Sequence, residues 1–316
     1  MIDRMRRWAP PMILAASALT GCSLGLDGLT FDRDPDGGAT TGNGGHGGAT
    51  TGNVGSTTGN GGHGGATATT GTTGTSAGGG LCAPKEALSD DFDNPATLSS
   101  WHLLSAAEQT PPLQDILDIN ATTPGQLTMR PMPTAMNGWY AEHRGPFLYK
   151  DVTGNFLVAA RVSAGVLAGP GTAPTRTFNT AGLMARKPGA APANWLLIDV
   201  GFQDPNDAAI GNITLGALGK RTLDGVTART PWPGSHQGWL GICRIGDTFA
   251  LIHKLDGELS ATLLEQVDRP DLGATIQVGV VTGSWVPQQR DVVGRFDSVH
   301  FSVPSTPADC EACLLE

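Results

Sequence analysis

Short apolar runs bounded by Gly, Pro, Asn or Asp recur along the chain between positions 90 and 303. No long segment in this region repeats its apolar residues at the helical period with capping residues at its ends. Short runs of this kind are typical of β-strands. The pattern predicts strands at 116–119, 126–130, 139–140, 147–150, 156–162, 181–186, 195–202, 210–215, 220–230, 239–245, 248–255, 261–265, 276–282 and 292–303. We therefore expect an all-β domain.

The clearest local prediction is a hairpin formed by the runs at 239–245 and 248–255. Only Gly246 and Asp247 separate them. A two-residue loop with glycine in the first position favours a tight turn between antiparallel strands. Asp256 and Gly257 predict the next turn along the chain.

The first 21 residues have the pattern of a cleaved export signal. Three arginines lie among the first seven positions, and an apolar run at 12–19 follows and ends in small residues. This run is too short to cross a bilayer, for which about 20 apolar residues are needed. Pro10 and Pro11 argue against the alternative, an amphipathic surface helix.

The sequence Leu19-Thr20-Gly21-Cys22 resembles the lipobox of bacterial lipoproteins. This resemblance implies that the leader is removed before Cys22 and that lipid chains are attached to this cysteine. Several acyl chains hold a protein to a bilayer stably, whereas one chain holds it only marginally. Ser23 stands where an Asp often retains such proteins in the inner membrane. We therefore expect an outer-membrane lipoprotein whose domain is periplasmic or surface-exposed.

Residues 22–80 are expected to form a disordered tether. From position 36 onward the segment consists almost only of Gly, Thr, Ala, Asn and Ser, and the stretch 40–50 recurs at 57–67. Such a composition buries too little apolar surface to offset the entropy lost on ordering. The tether would let the domain at 81–316 move away from the membrane.

The charge of the domain at 81–316 restricts its partners. It has 16 Lys and Arg residues against 24 Asp and Glu residues, a net charge of −8 within the −9 of the whole chain. Nucleic acid is therefore not an expected partner. No cluster of basic residues would attract anionic lipids, so the lipid anchor is the expected membrane contact.

Four cysteines remain in the domain when Cys22 is set aside. Cys82 precedes the first predicted strand, and Cys310 and Cys313 follow the last one. A sandwich often brings its terminal strands side by side, so we expect Cys82 to form a disulfide with Cys310 or Cys313. Cys243 lies inside a predicted strand and is expected to be a buried free thiol. The C-x-x-C spacing also suits zinc or redox chemistry, but it lacks a second ligand pair and a βαβ context.

Several motifs occur in an order that resembles the concanavalin A-like lectin/glucanase family. They are Asp91-Phe92-Asp93, the run 181–186 followed by Trp195, the hairpin 244–249, and the final stretch 295–299. The resemblance implies two curved antiparallel sheets in jelly-roll order, with carbohydrate bound on the concave face or its rim. It also implies a structural calcium, for which Asp91, Asp93 and Asp297, with Asp90, would be the ligands. Solvated or capping carboxylates are the favoured interpretation of these residues, and we expect no required cofactor.

Catalytic motifs were sought along the chain. The glucanase members of that family carry Glu-x-Asp-x-x-Glu on one strand, because two carboxyl groups must lie on the same face. This chain has no such motif, and Asp199 and the acidic residues at 115–118 lack its spacing. The stretch 234–238 does not match the Gly-x-Ser-x-Gly nucleophile motif either. The sequence leaves the question of catalysis open and favours a binding protein.

Aromatic residues are the remaining candidates for ligand contact, because the C–H faces of sugars stack on flat side chains. Trp232, Trp285, His236 and Trp139 are the candidate ligand-binding residues. Trp232 lies between two prolines and, like Trp285, is expected in a loop. For Trp195 and the tryptophan at 239, core packing is favoured.

Three functions follow from these observations. The first is a membrane-anchored lipoprotein whose sandwich binds polysaccharide without catalysis. The second is a glycan hydrolase or lyase with a carboxylate pair that the spacing does not reveal. The third is an envelope module that binds other proteins.

Overall fold

The computed structural model describes residues 81–108, 110–133, 137–169, 171–189, 191–285 and 290–315. The predicted leader, the predicted lipidation site Cys22 and the predicted tether lie outside these ranges. Within them, no helix is both long enough and apolar enough to cross a bilayer.

Two antiparallel sheets pack face to face, which confirms the predicted all-β sandwich. The first sheet has eight strands: β1 (Cys82–Pro84), β3 (Gln114–Ile119), β4 (Leu127–Pro131), β6 (Phe156–Gly165), β11 (Gln237–Ile245), β12 (Thr248–Leu255), β13 (Thr262–Asp268) and β15 (Val293–Pro304). The second has seven: β2 (His102–Leu103), β5 (Phe147–Thr153), β7 (Asn179–Arg186), β8 (Trp195–Phe202), β9 (Leu215–Leu223), β10 (Val226–Pro233) and β14 (Thr275–Ser284). The described helices are short: α1 (Leu104–Ala107), α2 (Asp309–Cys313) and single 3₁₀ segments at Pro95–Ser100, Ala208–Ile210 and Pro270–Leu272.

The order of strands in the first sheet is β13-β12-β11-β6-β15-β4-β3, with β1 paired to β15. In the second sheet the order is β10-β9-β8-β7-β14-β5-β2. The chain therefore crosses repeatedly between the sheets, and the first and last strands, β1 and β15, are neighbours.

The alternation of side chains along strand β8 shows where the core lies. Leu196, Ile198 and Val200 face the first sheet and belong to the main core between the sheets. Trp195 and Leu197 point the other way, into a second apolar cluster on the outer face of the second sheet. Because apolar side chains pack against both faces of the sheet at β8, the sequence of this strand is a nearly continuous apolar run.

The hairpin predicted around Gly246 is confirmed. Strands β11 and β12 pair antiparallel, and the pair next to the turn is Ile245 with Thr248. Gly246 in the turn has a φ of 63°. Glycine adopts this left-handed conformation without steric cost, so the turn is compatible with its sequence.

The single strand predicted at 220–230 is wrong, because a turn divides it. Asp224 and Gly225 have φ values of 48° and 78°, and the chain reverses there between β9 and β10. Asp-Gly is a favoured pair for a two-residue hairpin turn in which both residues have positive φ. The turn signal is therefore present in the sequence, but it lies within a run that otherwise has an extended pattern.

The disulfides confirm one cysteine prediction and correct another. Cys82 is bonded to Cys313, as expected for neighbouring terminal segments. Cys243 is not a free thiol, because it is bonded to Cys310. Side-chain alternation places Cys243 on the outer face of the first sheet, where the short helix α2 packs with Leu314 over it. Both disulfides thus hold the C-terminal tail against that sheet.

Candidate functional site

A pocket of about 240 Å³ lies on the outer face of the second sheet. We call it the aromatic pocket. Residues of β7, β8, β9 and β14 form its floor, and an irregular segment at 137–146 together with the residues around β10 forms its walls. Its lining comprises Gly138, Trp139, Tyr140, Phe178, Thr180, Leu197, Asp199, Asp207, Lys220, Arg229, Val281, Thr282, Gly283 and Trp285.

The register of β7 and β8 places a carboxylate at the floor of this pocket. Ile198 faces the core, so the next residue, Asp199, faces the pocket. Opposite it on β7 stands Gly182. A Cβ at Gly182 would overlap the carbonyl of Ile198 and lie 2.9 Å from the Cβ of Asp199. The absence of a side chain at Gly182 therefore leaves room for the side chain of Asp199.

Asp199 is part of a buried ion pair. Its Oδ2 lies 2.7 Å from the Nζ of Lys220, and the two side chains are 2% and 7% exposed. The Thr180 hydroxyl donates a second hydrogen bond to the same oxygen at 3.1 Å, and the Gln203 amide donates to Oδ1 at 3.1 Å. The carboxylate thus has a cationic partner and two further hydrogen bonds, which is what burial of a charged group requires.

A second ion pair lies at the pocket wall. Arg229 donates a hydrogen bond from Nη1 to Oδ2 of Asp207. Its guanidinium also lies 5.7 Å from the centre of the Tyr140 ring, in the range of a cation–π contact. The hydrogen bond from Arg229 holds the pKa of Asp207 below its ordinary value. This carboxylate is therefore ionised at neutral pH.

Aromatic rings form the adjoining part of the wall. Trp285 contacts Tyr140 and His143 edge to face, with ring centres 5.5 and 5.3 Å apart. Trp139 is only 4% exposed and makes similar contacts with Phe147 and Trp195. Trp139 therefore anchors the wall, whereas Trp285, which is only half-buried, is the ring better placed to meet a ligand.

The four predicted ligand residues do not form one site. Trp285 and Trp139 line the aromatic pocket, but Trp232 and His236 are absent from its lining. Trp232 also does not lie in a loop: it belongs to β10 and pairs with Ala217 on β9. Strand β10 is the edge of its sheet, and an edge tolerates the two prolines beside Trp232 because their missing N–H groups face no partner strand.

Trp232 takes part in a separate side-chain cluster at the sheet edge. Its Nε1 donates to Oε1 of Glu258 at 2.8 Å, and its ring centre lies 5.1 Å from that of His253. The Nδ1 of His253 lies 3.0 Å from the other oxygen of Glu258. Burial lowers the pKa of His253, and Glu258 opposes this effect only in part. The contacts of Trp232 are therefore accounted for by packing, although 38% of it remains exposed.

The three predicted calcium ligands do not meet. Asp91 and Asp93 border one surface depression, and Asp297 borders another. Asp90, the fourth candidate, accepts a hydrogen bond from the indole of Trp101 at 2.8 Å. The described ranges contain no group of three or more His, Cys, Asp or Glu side chains that could hold a metal ion. The positions of these carboxylates do not support a calcium site that they share. Calcium binding stays a prediction.

Sequence reasoning missed the charged half of the aromatic pocket. Asp199 lacks the glucanase spacing, and neither Lys220 nor Arg229 belongs to a motif that marks it as a site residue. One signal was available, because a single carboxylate inside the apolar run 195–202 must be buried and therefore needs a partner. Which cation would pair with it could not be read from the sequence.

Comparisons with known proteins identify the fold. No known family matches the sequence, and no curated protein does either. Among solved structures, xylan β-1,4-xylosidase from Bacillus halodurans C-125 is similar at 14% identity over 67% of this chain, with a TM-score of 0.51. A mutant of the GH43 protein BlXynB from Bacillus licheniformis gives 13% identity over 69% and the same TM-score of 0.51.

These matches cover only 38% and 39% of the two Bacillus chains. The VIP36 exoplasmic/lumenal domain is also similar, at 11% identity over 69% of this chain and 90% of that one, but its TM-score of 0.47 is too low to carry weight. At such identities the similarity shows the fold alone. The fold is consistent with the concanavalin A-like jelly roll that the motifs predicted.

Proposed function

We propose that the aromatic pocket binds a sugar without cleaving it, and that a lipid on Cys22 anchors the protein in the outer membrane. The observation that carries the proposal is the pocket itself, whose lining combines Trp285 and Tyr140 with two ion pairs. A sugar ring has apolar C–H faces that pack on aromatic rings and hydroxyl groups that bond to charged side chains.

The size and polarity of the pocket suit a single sugar ring. At about 240 Å³ it is smaller than the 300 Å³ or more of sites that hold drug-sized ligands. The ammonium of Lys220 has three N–H donors, of which one is directed at Asp199. The guanidinium of Arg229 likewise has more donors than its bond to Asp207 uses. These donors can bind the hydroxyl oxygens of a bound ring.

The state of the two pocket carboxylates favours binding over hydrolysis. Cleavage of a glycosidic bond needs one carboxyl group that carries a proton at the working pH. Lys220 pairs with Asp199, and Arg229 lowers the pKa of Asp207. Asp207 is therefore not a proton donor at neutral pH, and the Asp199 carboxylate is already bonded to Lys220, Thr180 and Gln203. A hydrolase or lyase would need catalytic groups from elsewhere, and nothing specific in the described ranges favours that alternative.

Replacement of Trp285 by alanine is expected to weaken glycan binding by at least about tenfold, because the stacking surface is lost. The full chain would be screened on a glycan array, with and without calcium, and the best ligand titrated by calorimetry. Trp232→Ala is the matched control, since it removes a more exposed tryptophan outside the pocket and should leave the affinity unchanged. Equal losses of glycan affinity in both variants would contradict the assignment of the site to the aromatic pocket. If the native protein bound no glycan, the sugar-binding function would be refuted and the protein-interaction function would be favoured.

The lipid anchor has its own test. Cys22→Ala should move the protein from the membrane fraction to the soluble fraction, because the acylated thiol is absent. Ser23→Asp, which leaves Cys22 intact, should keep the protein in the membrane fraction and shift it toward the inner membrane. Cys22→Ala protein that still sediments with membranes would refute anchoring through this residue.

A further inference from the structure

Arg295 lies on the outer face of the first sheet, whereas the aromatic pocket lies on the outer face of the second sheet. It belongs to β15, whose next residue, Phe296, points into the core. Across the sheet, Thr128 of β4, Arg295, Ser163 of β6 and Gln237 of β11 stand in register. They form one row of polar residues across four neighbouring strands.

The guanidinium of Arg295 is buried among neutral oxygen atoms. The residue is only 3% exposed. Its Nε donates to the Thr123 hydroxyl at 3.1 Å, and its Nη2 donates to the carbonyls of Val166 and Leu167 at 3.1 and 3.3 Å. Its Nη1 is also buried and has no hydrogen-bond partner within the described ranges.

Arg295 has no carboxylate within 4.0 Å in the part of the chain that the structure describes, unlike several other buried cations. Arg186 has Glu108 at 2.7 Å, Lys220 has Asp199 at 2.7 Å, Arg269 has Asp271 at 2.8 Å and Arg244 has Asp247 at 3.8 Å. The internal positions outside the described ranges are occupied by no Asp or Glu. Burial lowers the pKa of Arg295, and no acidic group offsets this effect. A buried charge without a counter-ion is costly, so an anion in this position would be stabilising.

A small polar pocket adjoins this guanidinium. Its volume is about 130 Å³, and Gln126, Arg161, Val162, Ser163, Gln237 and Asp297 line it together with Arg295. Two amides and a hydroxyl thus lie beside the charge; the Gln126 amide contacts Asp297 at 3.5 Å, and the Gln237 side chain bonds to Asp256. Arg161 is held by both carboxylate oxygens of Asp256, at 2.5 and 2.9 Å. Asp297 is the one acidic residue in the lining and is exposed at its edge.

We propose that this Arg295 pocket binds a small oxyanion: a carboxylate, sulfate or phosphate group, free or carried on a larger molecule. The volume fits one such group and not a sugar ring with its substituents. This site shares no lining residue with the aromatic pocket, so an experiment can refute one of the two proposals without refuting the other.

The test titrates the full chain with sodium sulfate, sodium phosphate and sodium glucuronate by calorimetry, against sodium chloride of equal ionic strength. Calorimetry is chosen because sulfate and phosphate raise the melting temperature of folded proteins in general. We expect saturable binding of at least one of the three salts. Glucuronate binding would indicate a carboxylate borne by a sugar, and binding restricted to sulfate or phosphate would indicate an inorganic ion or its ester.

Three variants locate the site. Arg295→Met removes the charge at similar length and should abolish the binding. Asp297→Asn removes the repelling carboxylate and should tighten it about threefold. Trp285→Ala should leave it unchanged, which separates this proposal from the sugar-binding one. A lack of saturable binding to all three anions, unchanged binding in Arg295→Met, or no gain in Asp297→Asn would each overturn the proposal; if Arg295→Met does not fold, the other two results decide.

Discussion

Asp199→Leu is expected to lower the free energy of unfolding by about 3–5 kcal/mol. The change leaves the ammonium of Lys220 almost fully buried with no counter-charge. It also removes the hydrogen-bond acceptor of Thr180 and Gln203, which both donate to the carboxylate in the native protein. The loss would be measured by urea denaturation at neutral pH.

A second variant separates the effect of the charge from that of lost packing. In the double variant Asp199→Leu/Lys220→Met both charges are gone, so we expect stability within about 1–2 kcal/mol of the native protein. The matched control is Asp256→Leu, which breaks the half-exposed pair with Arg161 and should cost at most about 1 kcal/mol. A double variant as unstable as the single one would show that the pair is not the reason for the loss.

The double variant also tests the proposed sugar site. It should fold but lack the charged floor of the aromatic pocket, while Trp285 and Tyr140 stay in place. If the ion pair supplies hydrogen bonds to a sugar, glycan binding should be lost in a folded protein. Retained binding would limit the contact to the aromatic wall and Arg229, which the double variant leaves in place.

Removal of either disulfide is expected to destabilise the domain by about 3–5 kcal/mol. Cys82 and Cys313 are 231 positions apart, so their bond restricts nearly the whole unfolded domain. Cys243 and Cys310 are 67 positions apart, and their bond restricts the C-terminal part. The loop-entropy argument therefore predicts the larger loss for Cys82→Ser/Cys313→Ser.

These losses would be measured by denaturation of each double-serine variant and of the native protein with and without a reducing agent. Cys22→Ser is the control, because Cys22 takes part in neither bond. Unchanged stability after full reduction would refute the stabilising role. A large loss would also agree with the proposed export, since disulfides persist in oxidising compartments.

Features that depend on local pattern could be predicted from the sequence. The apolar run of β8 and the turn at Gly246 are set by residues close together in the chain. Strand period and turn preference act over a few residues, so they can be read without knowledge of the fold. Even so, a strong extended pattern concealed the turn at Asp224-Gly225.

Only one of the two disulfides could be predicted from the sequence. That Cys82 would bond to the C-terminal pair followed from the usual pairing of terminal strands in a sandwich. That Cys243 would bond to Cys310 did not, because it depends on the outer-face position of Cys243 and on where helix α2 packs. Both are consequences of strand order and tail packing.

The candidate sites were decided almost entirely by the tertiary structure. Trp139 and Trp285 were recognised as candidates from their residue type, but their shared wall joins segments about 145 positions apart. The pairing of Asp199 with Lys220, and the lack of a carboxylate beside Arg295 within the described ranges, depend on strand register and sheet order. Residue type and local period specify which side chains can be buried, whereas only the packed sheets determine which of them meet.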